Sequence, residues 1–137
     1  MIPLEEVEKA YIACIVDGEG TVSLTKHHKN ETPCPIVSVA NTNLQLLEWL
    51  KARLGGVIIS KKKSKPHHKQ SYAWYIRQDS AIRFLNEIKR YLRIKRQQAE
   101  LITKKYKKVT HRTGKYTPKM LAAKNKLVAQ IRELNQR

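Results

Sequence analysis

Two carboxylates alternate with two glycines at the end of an apolar run near the start of the chain. Asp17 and Glu19 are interleaved with Gly18 and Gly20, and residues 12 to 16 before them are all apolar. Glycine commonly ends a helix and leaves space around its neighbours. The Glu19 carboxylate and the backbone carbonyl of Gly18, freed where the helix ends, can supply the oxygen ligands that a hard cation such as Mg²⁺ prefers.

A simpler interpretation of the same residues stays open at this point. Short turns that combine acids with glycine are common, so Asp17 and Glu19 can also be solvated side chains in a helix C-cap that leads into a strand. The histidine pairs at residues 27–28 and 67–68 are weaker metal candidates. Neighbours on a strand point to opposite faces, so neither pair suits zinc without other ligands.

The charge of the chain predicts a polyanionic partner, and nucleic acid is the first candidate. Against 11 acidic residues there are 28 Lys or Arg, which gives a formal net charge of +17 over 137 residues. Residues 89 to 119 hold 12 of the basic residues and a single acid, Glu100. Such one-sided charge favours contact with phosphates over an ordinary solvated surface.

The remaining composition predicts a soluble intracellular protein. No apolar stretch reaches transmembrane length, no signal peptide precedes the first predicted helix, and Cys14 and Cys34 lack metal-ligand spacing. We therefore expect free thiols, no membrane partner, and a location in the cytoplasm or nucleoid or in an organelle matrix.

Hydrophobic periodicity and turn residues predict two helix-then-hairpin units followed by further helices. Asn43 and Asp79 are the expected N-caps of two helices, and Gly55 with Gly56 is expected to end the helix between them. One α+β domain over residues 1–137 follows, with a core at about 4–108 and a basic C-terminal helix at about 118–135. The predicted helices are 4–17, 43–54, 79–92, 95–108 and 118–135, and the predicted strands lie near 21–29, 35–41, 57–63 and 71–77.

Residues 12 to 20 resemble the signature motif of the LAGLIDADG homing endonucleases. They read Ile-Ala-Cys-Ile-Val-Asp-Gly-Glu-Gly, with Cys14 where the family usually has glycine or another small residue. Further landmarks in the family's order extend the resemblance over about residues 4 to 108, at residues 41–50, 54–56, 84–85 and 91–99. The resemblance implies an αββαββα fold with a saddle-shaped antiparallel sheet, here with additional C-terminal helices.

The same resemblance implies a site-specific homing endonuclease that makes double-strand breaks in a long, near-palindromic DNA site. Members hydrolyse phosphodiester bonds with Mg²⁺ or another divalent cation, cut across the minor groove and leave short 3′ overhangs. Only one motif is present, and cutting both strands of a duplex needs two related sites. A homodimer is therefore expected, with one Glu19 for each strand.

The family's functional residues map onto matching positions of this chain. Glu19 corresponds to the acid that binds metal, and Lys95 to a basic residue near the scissile phosphate. Asn41 resembles the polar residue that helps to position solvent, although a helix-entry role beside Asn43 is an alternative. The expected dimer interface lies along the motif helix, where Asp17 serves the helix ends; its residues are Ile12, Ala13, Cys14, Val16 and Asp17.

Alternation along the strands predicts which side chains face DNA. Val22 and Leu24 point one way, and the polar residues between and after them point the other way. For the fourth strand the choice of face stays open, because a shift of one residue in register would turn Tyr72 and Trp74 toward the DNA in place of Tyr75 and Arg77. An ordinary solvated strand face is the alternative throughout. The predicted DNA-facing residues are Ser23, Thr25, His27, Lys29, Ser38, Ser60, Lys62, Tyr75 and Arg77.

Two other functions compete with the endonuclease hypothesis. A non-cutting relative of the same fold could be an RNA splicing maturase, with intron RNA as partner, or a DNA-binding regulator. Glu19 argues against a degenerate copy, since a decayed member has little reason to retain the acid. A basic ribosomal or RNA-chaperone-type protein is more remote, because such chains seldom need a helix that is apolar on every side.

Overall fold

The computed structural model describes residues 3–61, 65–111 and 115–136. Within them the chain forms five α-helices and four strands, in an αββαββα order followed by two more helices. This order confirms the α+β fold that the sequence predicts. The elements are α1 Glu6–Glu19, β1 Gly20–Thr25, β2 Cys34–Asn41, α2 Leu44–Leu54, β3 Val57–Lys61, β4 Ser71–Arg77, α3 Gln78–Ile88, α4 Arg96–Lys105 and α5 Pro118–Asn135, with 3₁₀ turns at Lys89–Tyr91 and Lys107–Val109.

The four strands form one antiparallel sheet in the order β1-β2-β4-β3. Its two faces differ, because side chains alternate along each strand. The face that packs against the helices carries Val22, Val37 and Trp74, all with no exposed surface. We call the other side the open face; its residues in register are Thr21, Ser23, Thr25, Ile36, Ser38, Ala40, Val57, Ile59, Lys61, Ser71, Ala73, Tyr75 and Arg77.

One apolar cluster joins the sheet to the helices, including the C-terminal one. Leu127, Val128 and Ile131 bring α5 into this cluster. Asn135 then donates from Nδ2 to the carbonyl of Val22 at 3.1 Å, which fixes the end of α5 beside β1. Among the described helices none is long and apolar enough to cross a membrane.

Two consecutive glycines set where β3 lies. Gly55 and Gly56 have φ of 77° and 94°, and the indole nitrogen of Trp74 donates to the carbonyl of Gly55 at 2.8 Å. A Cβ on Gly56 would lie 2.5 Å from the carbonyl oxygen of Tyr75. The pair therefore ends α2, as predicted, and also lets β3 approach β4 closely.

The start of α1 is tied to the 3₁₀ turn that precedes α4. Glu6 accepts hydrogen bonds from the Tyr91 hydroxyl, the Arg90 guanidinium and the Lys9 ammonium. These donors lower the pKa of Glu6 from 4.5 to about 2. The chain from residue 89 to residue 95 is thereby held beside α1.

Several predicted boundaries differ from the structure. Helix α3 ends at Ile88 and α4 at Lys105, before the predicted ends at 92 and 108, and 3₁₀ turns occupy Lys89–Tyr91 and Lys107–Val109. Helix α1 ends at Glu19, so Gly18 is helical, and Gly20 is extended with φ of −105°. Strand β1 ends at Thr25, opposite Cys34, so residues 26 to 29 of the predicted strand lie in the connection to β2. Helix α3 begins at Gln78, one residue before the predicted N-cap, through a φ of 57°.

Candidate active site

Asp17, near the end of α1, joins that helix to the segment that leads into α4. Its Oδ2 accepts from the backbone N–H of Arg93 at 2.7 Å, and its Oδ1 accepts from the backbone N–H of Lys95 at 3.0 Å. Hydrogen bonds from backbone amides to an ionised carboxylate are among the stronger ones in proteins. Asp17 thus acts within its own chain, whereas the sequence analysis placed it at the dimer interface.

Lys95 is held at the same place by its side chain. Its Nζ donates to the backbone carbonyl of Asp17 at 2.9 Å. This carbonyl is one of the last four of α1, which have no partner within the helix, so a cation there also meets the negative end of the helix dipole. Asp17 therefore fixes both the backbone and the ammonium group of Lys95 at the C-terminal end of α1.

Glu19 is exposed and makes no hydrogen bond or ion pair with another described residue. The carbonyl of Gly18, another of the last four of α1, also has no helical partner. A free carboxylate and a free carbonyl are hard oxygen donors, and they fit a Mg²⁺-type cation. Among the described residues no three His, Cys, Asp or Glu side chains cluster as ligands, so further ligands would have to come from water, phosphate or another chain.

The two glycines on either side of Glu19 differ in how closely the rest of the chain packs around them. A Cβ on Gly20 would lie 2.8 Å from the carbonyl oxygen of Val16 and 2.9 Å from that of Ser38, so close packing of α1 on the sheet requires glycine there. A Cβ on Gly18 would meet no atom within 4 Å. Nothing described in this chain requires glycine at position 18.

Asn41 lies on the end of β2 that is nearest to Glu19, since Gly20 pairs with Val39 in the ladder. Its Oδ1 accepts from the backbone N–H of Asn43 at 2.8 Å, and Asn43 in turn caps α2 by accepting from Leu46 at 3.1 Å. The alternative helix-entry role of Asn41 is therefore present in the structure. The amide nitrogen of Asn41 is the part of this side chain that a solvent-positioning role could use.

The predicted dimer interface needs a correction. Ile12, Ala13 and Val16 have no exposed surface because they pack in the chain's own core, so they have no area to offer to a partner. Of the predicted set only Cys14 is exposed. The exposed apolar face of α1 lies about half a turn away, and it consists of Val7, Tyr11, Cys14 and Gly18.

The open face carries most of the predicted DNA-facing residues. Ser23, Thr25 and Ser38 line it on β1 and β2, with Tyr75 and Arg77 on β4. The Arg77 guanidinium lies 5.3 Å from the centre of the Tyr75 ring, and its Nη1 donates to Thr25 at 3.3 Å. Its Nε is buried without a hydrogen-bond partner in the structure. Arg77 is thus held in place on the open face, with Nε buried and Nη1 in contact with Thr25 and Cys34.

Four predicted DNA contacts change or cannot be placed. Ser60 pairs with Tyr72, in phase with Trp74, so it lies on the helix side of the sheet and not on the open face. His27 and Lys29 follow the end of β1 and lie in the connection to β2, outside the ladder. Lys62 lies outside the described residues.

The profile of the LAGLIDADG-like domain matches residues 6–89 of this sequence. The chain belongs to the LAGLIDADG family. The match includes the motif helix α1 and both hairpins of the sheet. A search of curated proteins found no match.

Solved structures of LAGLIDADG proteins share the fold of this chain. The homing endonuclease I-CvuI in complex with its target in 2 mM Ca is 20% identical, with a TM-score of 0.75 over 93% of this chain and 82% of that one. The archaeal intron-encoded homing endonuclease I-Vdi141I complexed with DNA is 22% identical, with a TM-score of 0.68 over 96% and 86%. I-SmaMI bound to uncleaved DNA with calcium ions is 20% identical, with a TM-score of 0.52 over 96% of this chain but 46% of that one.

Sequence reasoning missed several exposed residues of this LAGLIDADG chain. Val7 and Tyr11 precede the motif at spacings that put them on the same side of α1 as Cys14, a signal that helical periodicity alone contains. Ile94 is 70% exposed between the two residues whose backbone amides bind Asp17. Its exposure could not be predicted, because it depends on how the segment after α3 runs along α1.

Replacing Asp17 with alanine should destabilise the chain, whereas Glu19→Gln should not. The first change removes two charge-assisted hydrogen bonds to backbone amides, and we expect a loss of about 2 to 3 kcal/mol in the free energy of unfolding. Glu19 makes no such contact, so its variant should stay within about 0.5 kcal/mol of the wild type. Urea unfolding of the three proteins measures both effects, and equal stability of the two variants would contradict the assigned role of Asp17.

Proposed function

We propose that this protein is a homing endonuclease that makes double-strand breaks in a long, near-palindromic DNA site as a homodimer. Hydrolysis of the phosphodiester bonds would use Mg²⁺ or another divalent cation. The observation that carries the proposal is the exposed apolar face of α1, which ends at Glu19, whose carboxylate has no partner among the described residues.

This apolar face has the spacing of a helix seam. Val7, Tyr11, Cys14 and Gly18 follow one another at intervals of four, three and four residues, which keeps them on one side of a helix. Val7 is 76% exposed and Tyr11 is 53% exposed in the single chain. Ile94, 70% exposed, lies near the same end of α1, between the two residues whose backbone amides bind Asp17. A second copy of α1 would cover these side chains and remove them from water.

Gly18 supports close approach of that second helix. Glycine inside a helix costs about 0.5 to 1 kcal/mol relative to alanine, and no described atom of this chain requires it at this position. Around a two-fold axis each copy contributes the same surface, so Gly18 of one α1 would face the other α1 near its Gly18. Cys14 would lie one further turn along the same contact.

The two-fold axis also explains why one carboxylate per chain is sufficient. Glu19 directly follows Gly18, so pairing of the helices would bring one Glu19 from each copy close to the axis, one for each DNA strand. Glu19 and the Gly18 carbonyl would hold the divalent cation. When bound, such a cation polarises the phosphate, lowers the pKa of water and stabilises the leaving oxygen.

Lys95 and Asn41 would complete each half of the active site. The ammonium group of Lys95, held by the Asp17 carbonyl, places positive charge at the end of α1 that carries Glu19, where it would stabilise the charge that develops on the scissile phosphate. Asn41 would orient solvent through its amide nitrogen. Asp17 would act indirectly, by positioning Lys95.

The open face would lie in the major groove, where polar side chains reach base edges. Arg77 is preoriented by Tyr75 and Thr25 and can donate two hydrogen bonds to a guanine. The basic segment from residue 89 to residue 119 would hold the phosphates. The relatives named above are DNA complexes, and I-CvuI has also been solved on the I-CreI target with 2 mM Mg and uncleaved DNA. None of these observations favours intron RNA as a partner.

Cleavage of a selected DNA site tests the proposal. Fragments bound by the purified protein are selected from randomised duplex DNA, and the enriched site is cloned into a plasmid. With Mg²⁺ the wild type should linearise the plasmid, and Glu19→Gln should bind the site but leave it uncut. Failure of the wild type to cut any enriched site, or equal cutting by the variant, would contradict the proposal.

Replacing Gly18 with alanine should have opposite effects on the single chain and on the dimer. Alanine favours helix, so the free energy of unfolding of the monomer should rise by about 0.5 to 1 kcal/mol. The added methyl group would separate the two α1 helices, and the dimer dissociation constant should rise about tenfold or more. Sedimentation measures the dimer, and unfolding at a concentration where all proteins are monomeric measures the chain.

Glu19→Gln is the matched control for Gly18→Ala, because it changes the next residue without adding bulk to the helix seam. Its dimer should be at least as tight as that of the wild type, because the change removes one negative charge per copy near the two-fold axis. A Gly18→Ala dimer as tight as the wild type would show that the helices do not meet at this residue.

A further inference from the structure

Two large apolar side chains interrupt the polar open face on β3. Val57 is 45% exposed and Ile59 is 47% exposed. They point away from the helices, because their cross-strand partners are Tyr75 and Ala73. The exposed apolar residues of α1 have a proposed cover in a second copy of this chain, but these two lie on a different surface.

The apolar character continues across the sheet in one row. Ile59 pairs with Ala73, and Ala73 pairs with Ala40, so three neighbouring strands present no hydrogen-bonding side chain along this line. The adjacent rows are different in kind. Tyr75 pairs with Ser38, which pairs with Thr21, and Arg77 lies beyond them. The two large apolar side chains of the open face that are most exposed therefore both lie on β3, with Val57 at the end of a polar row and Ile59 at the end of the apolar row.

The major groove offers few groups that suit such a surface. Each base pair presents hydrogen-bond donors and acceptors there, and thymine adds a methyl group at C5. An apolar side chain pressed against donors and acceptors would displace their water and return no hydrogen bond, which is unfavourable. The same side chain against a methyl group buries apolar surface on both partners.

We propose that Val57 and Ile59 read thymine methyl groups, so that each half of the DNA site carries thymine where β3 crosses it. This inference rests on the proposed function, in which the open face lies in the major groove. It adds the chemical class of base that one strand prefers, whereas Arg77 on β4 has the donors that suit guanine.

Charge around β3 favours DNA over a protein as the occupant of this surface. Lys61 ends the strand on the open face, opposite Ser71, and the exposed Lys65 and Lys69 follow in the loop to β4. Arg77 stacks on Tyr75, the cross-strand neighbour of Val57. An apolar strip with cations at its end fits a groove whose floor carries methyl groups and whose walls carry phosphates.

Replacement of thymine by uracil in the selected DNA site tests the inference directly. Uracil pairs as thymine does and lacks only the methyl group. The wild-type protein should lose about three- to fivefold in affinity for each contacted methyl group removed, the size expected for one buried methyl group. The positions that respond should recur in both half-sites. This arm uses the unmodified protein and does not depend on the folding of any variant.

A double variant then assigns the effect to β3. Val57→Ser with Ile59→Ser should bind DNA with the same salt dependence but respond no longer to uracil at those positions. Selection from randomised DNA with this variant should relax the thymine preference there and leave the other positions unchanged. Leu121→Gln is the matched control, because Leu121 is 42% exposed on α5, away from the sheet; its site and its uracil response should equal those of the wild type.

Several outcomes would overturn the inference. The first is that the wild-type protein binds its selected site equally well when uracil replaces every thymine. The second is that the double variant still responds to uracil at those positions. The third is that the double variant changes the self-association of the protein and leaves its base preference unchanged. The last result would identify a surface for protein contact. Absence of any sequence-selective DNA binding would instead contradict the proposed function as a whole, so the two failures can be told apart.

Discussion

The central turns of helix α1, residues 10 to 16, are apolar around their whole circumference, yet their own chain covers only one side of them. Ile12, Ala13 and Val16 fill the core beneath the sheet, while Val7, Tyr11 and Cys14 remain in water. Apolar side chains that are exposed together on one side of a helix are unfavourable in water unless another surface covers them. A second copy of the same helix is the simplest cover, because a two-fold axis makes one surface complementary to itself. The proposed dimer, the proposed role of Glu19 and the proposed use of two chains on one duplex all rest on this single helix.

The end of the same helix organises the groups that would do the chemistry. Asp17 binds the backbone of Arg93 and Lys95, and the carbonyl of Asp17 binds the Lys95 ammonium. Glu6, at the other end of α1, binds Arg90 and Tyr91. The segment before α4 is therefore attached to α1 at both ends, and movement of α1 against its partner would be transmitted to Lys95 through hydrogen bonds rather than through a flexible loop. Unlike Glu6 and Asp17, Glu19 does not bind this segment, and its carboxylate has no partner in the described structure.

Much of this fold was readable from the sequence wherever polar and apolar residues contrast. On β1 and β4 the alternation is clear, and the structure places Ser23, Thr25, Tyr75 and Arg77 on the predicted face. On β3 three consecutive residues, Val57, Ile58 and Ile59, are all apolar. The sequence therefore does not show which of them face the helices, and Ser60 was assigned to the wrong face of the sheet. The start of α3 was missed because Gln78 adopts a positive φ that its residue type does not suggest.

The residue types of the candidate site could be proposed from the sequence, but the contacts among them could not. The motif identified Glu19 and the resemblance added Lys95, but the hydrogen bonds of Asp17 join residues far apart in sequence and depend on the tertiary fold. Lys124, in the basic C-terminal helix α5, is a further example. The structure buries it completely, with Nζ donating to Thr110 at 2.8 Å and to Thr32 at 3.3 Å, and burial lowers its pKa. No local pattern shows that a lysine will be enclosed by hydroxyl groups from distant loops.

The most direct measurement of the central claim uses a dimer with one impaired copy. Wild-type and Lys95→Met chains carrying different affinity tags are co-expressed, the mixed dimer is purified through both tags, and it is incubated with Mg²⁺ and a supercoiled plasmid that contains the selected site. If each copy serves one strand, the mixed dimer should convert the plasmid to nicked circles and stop there, while the wild-type dimer produces linear DNA. Linear DNA from the mixed dimer at the wild-type rate would contradict the account, because one complete active site would then be cutting both strands.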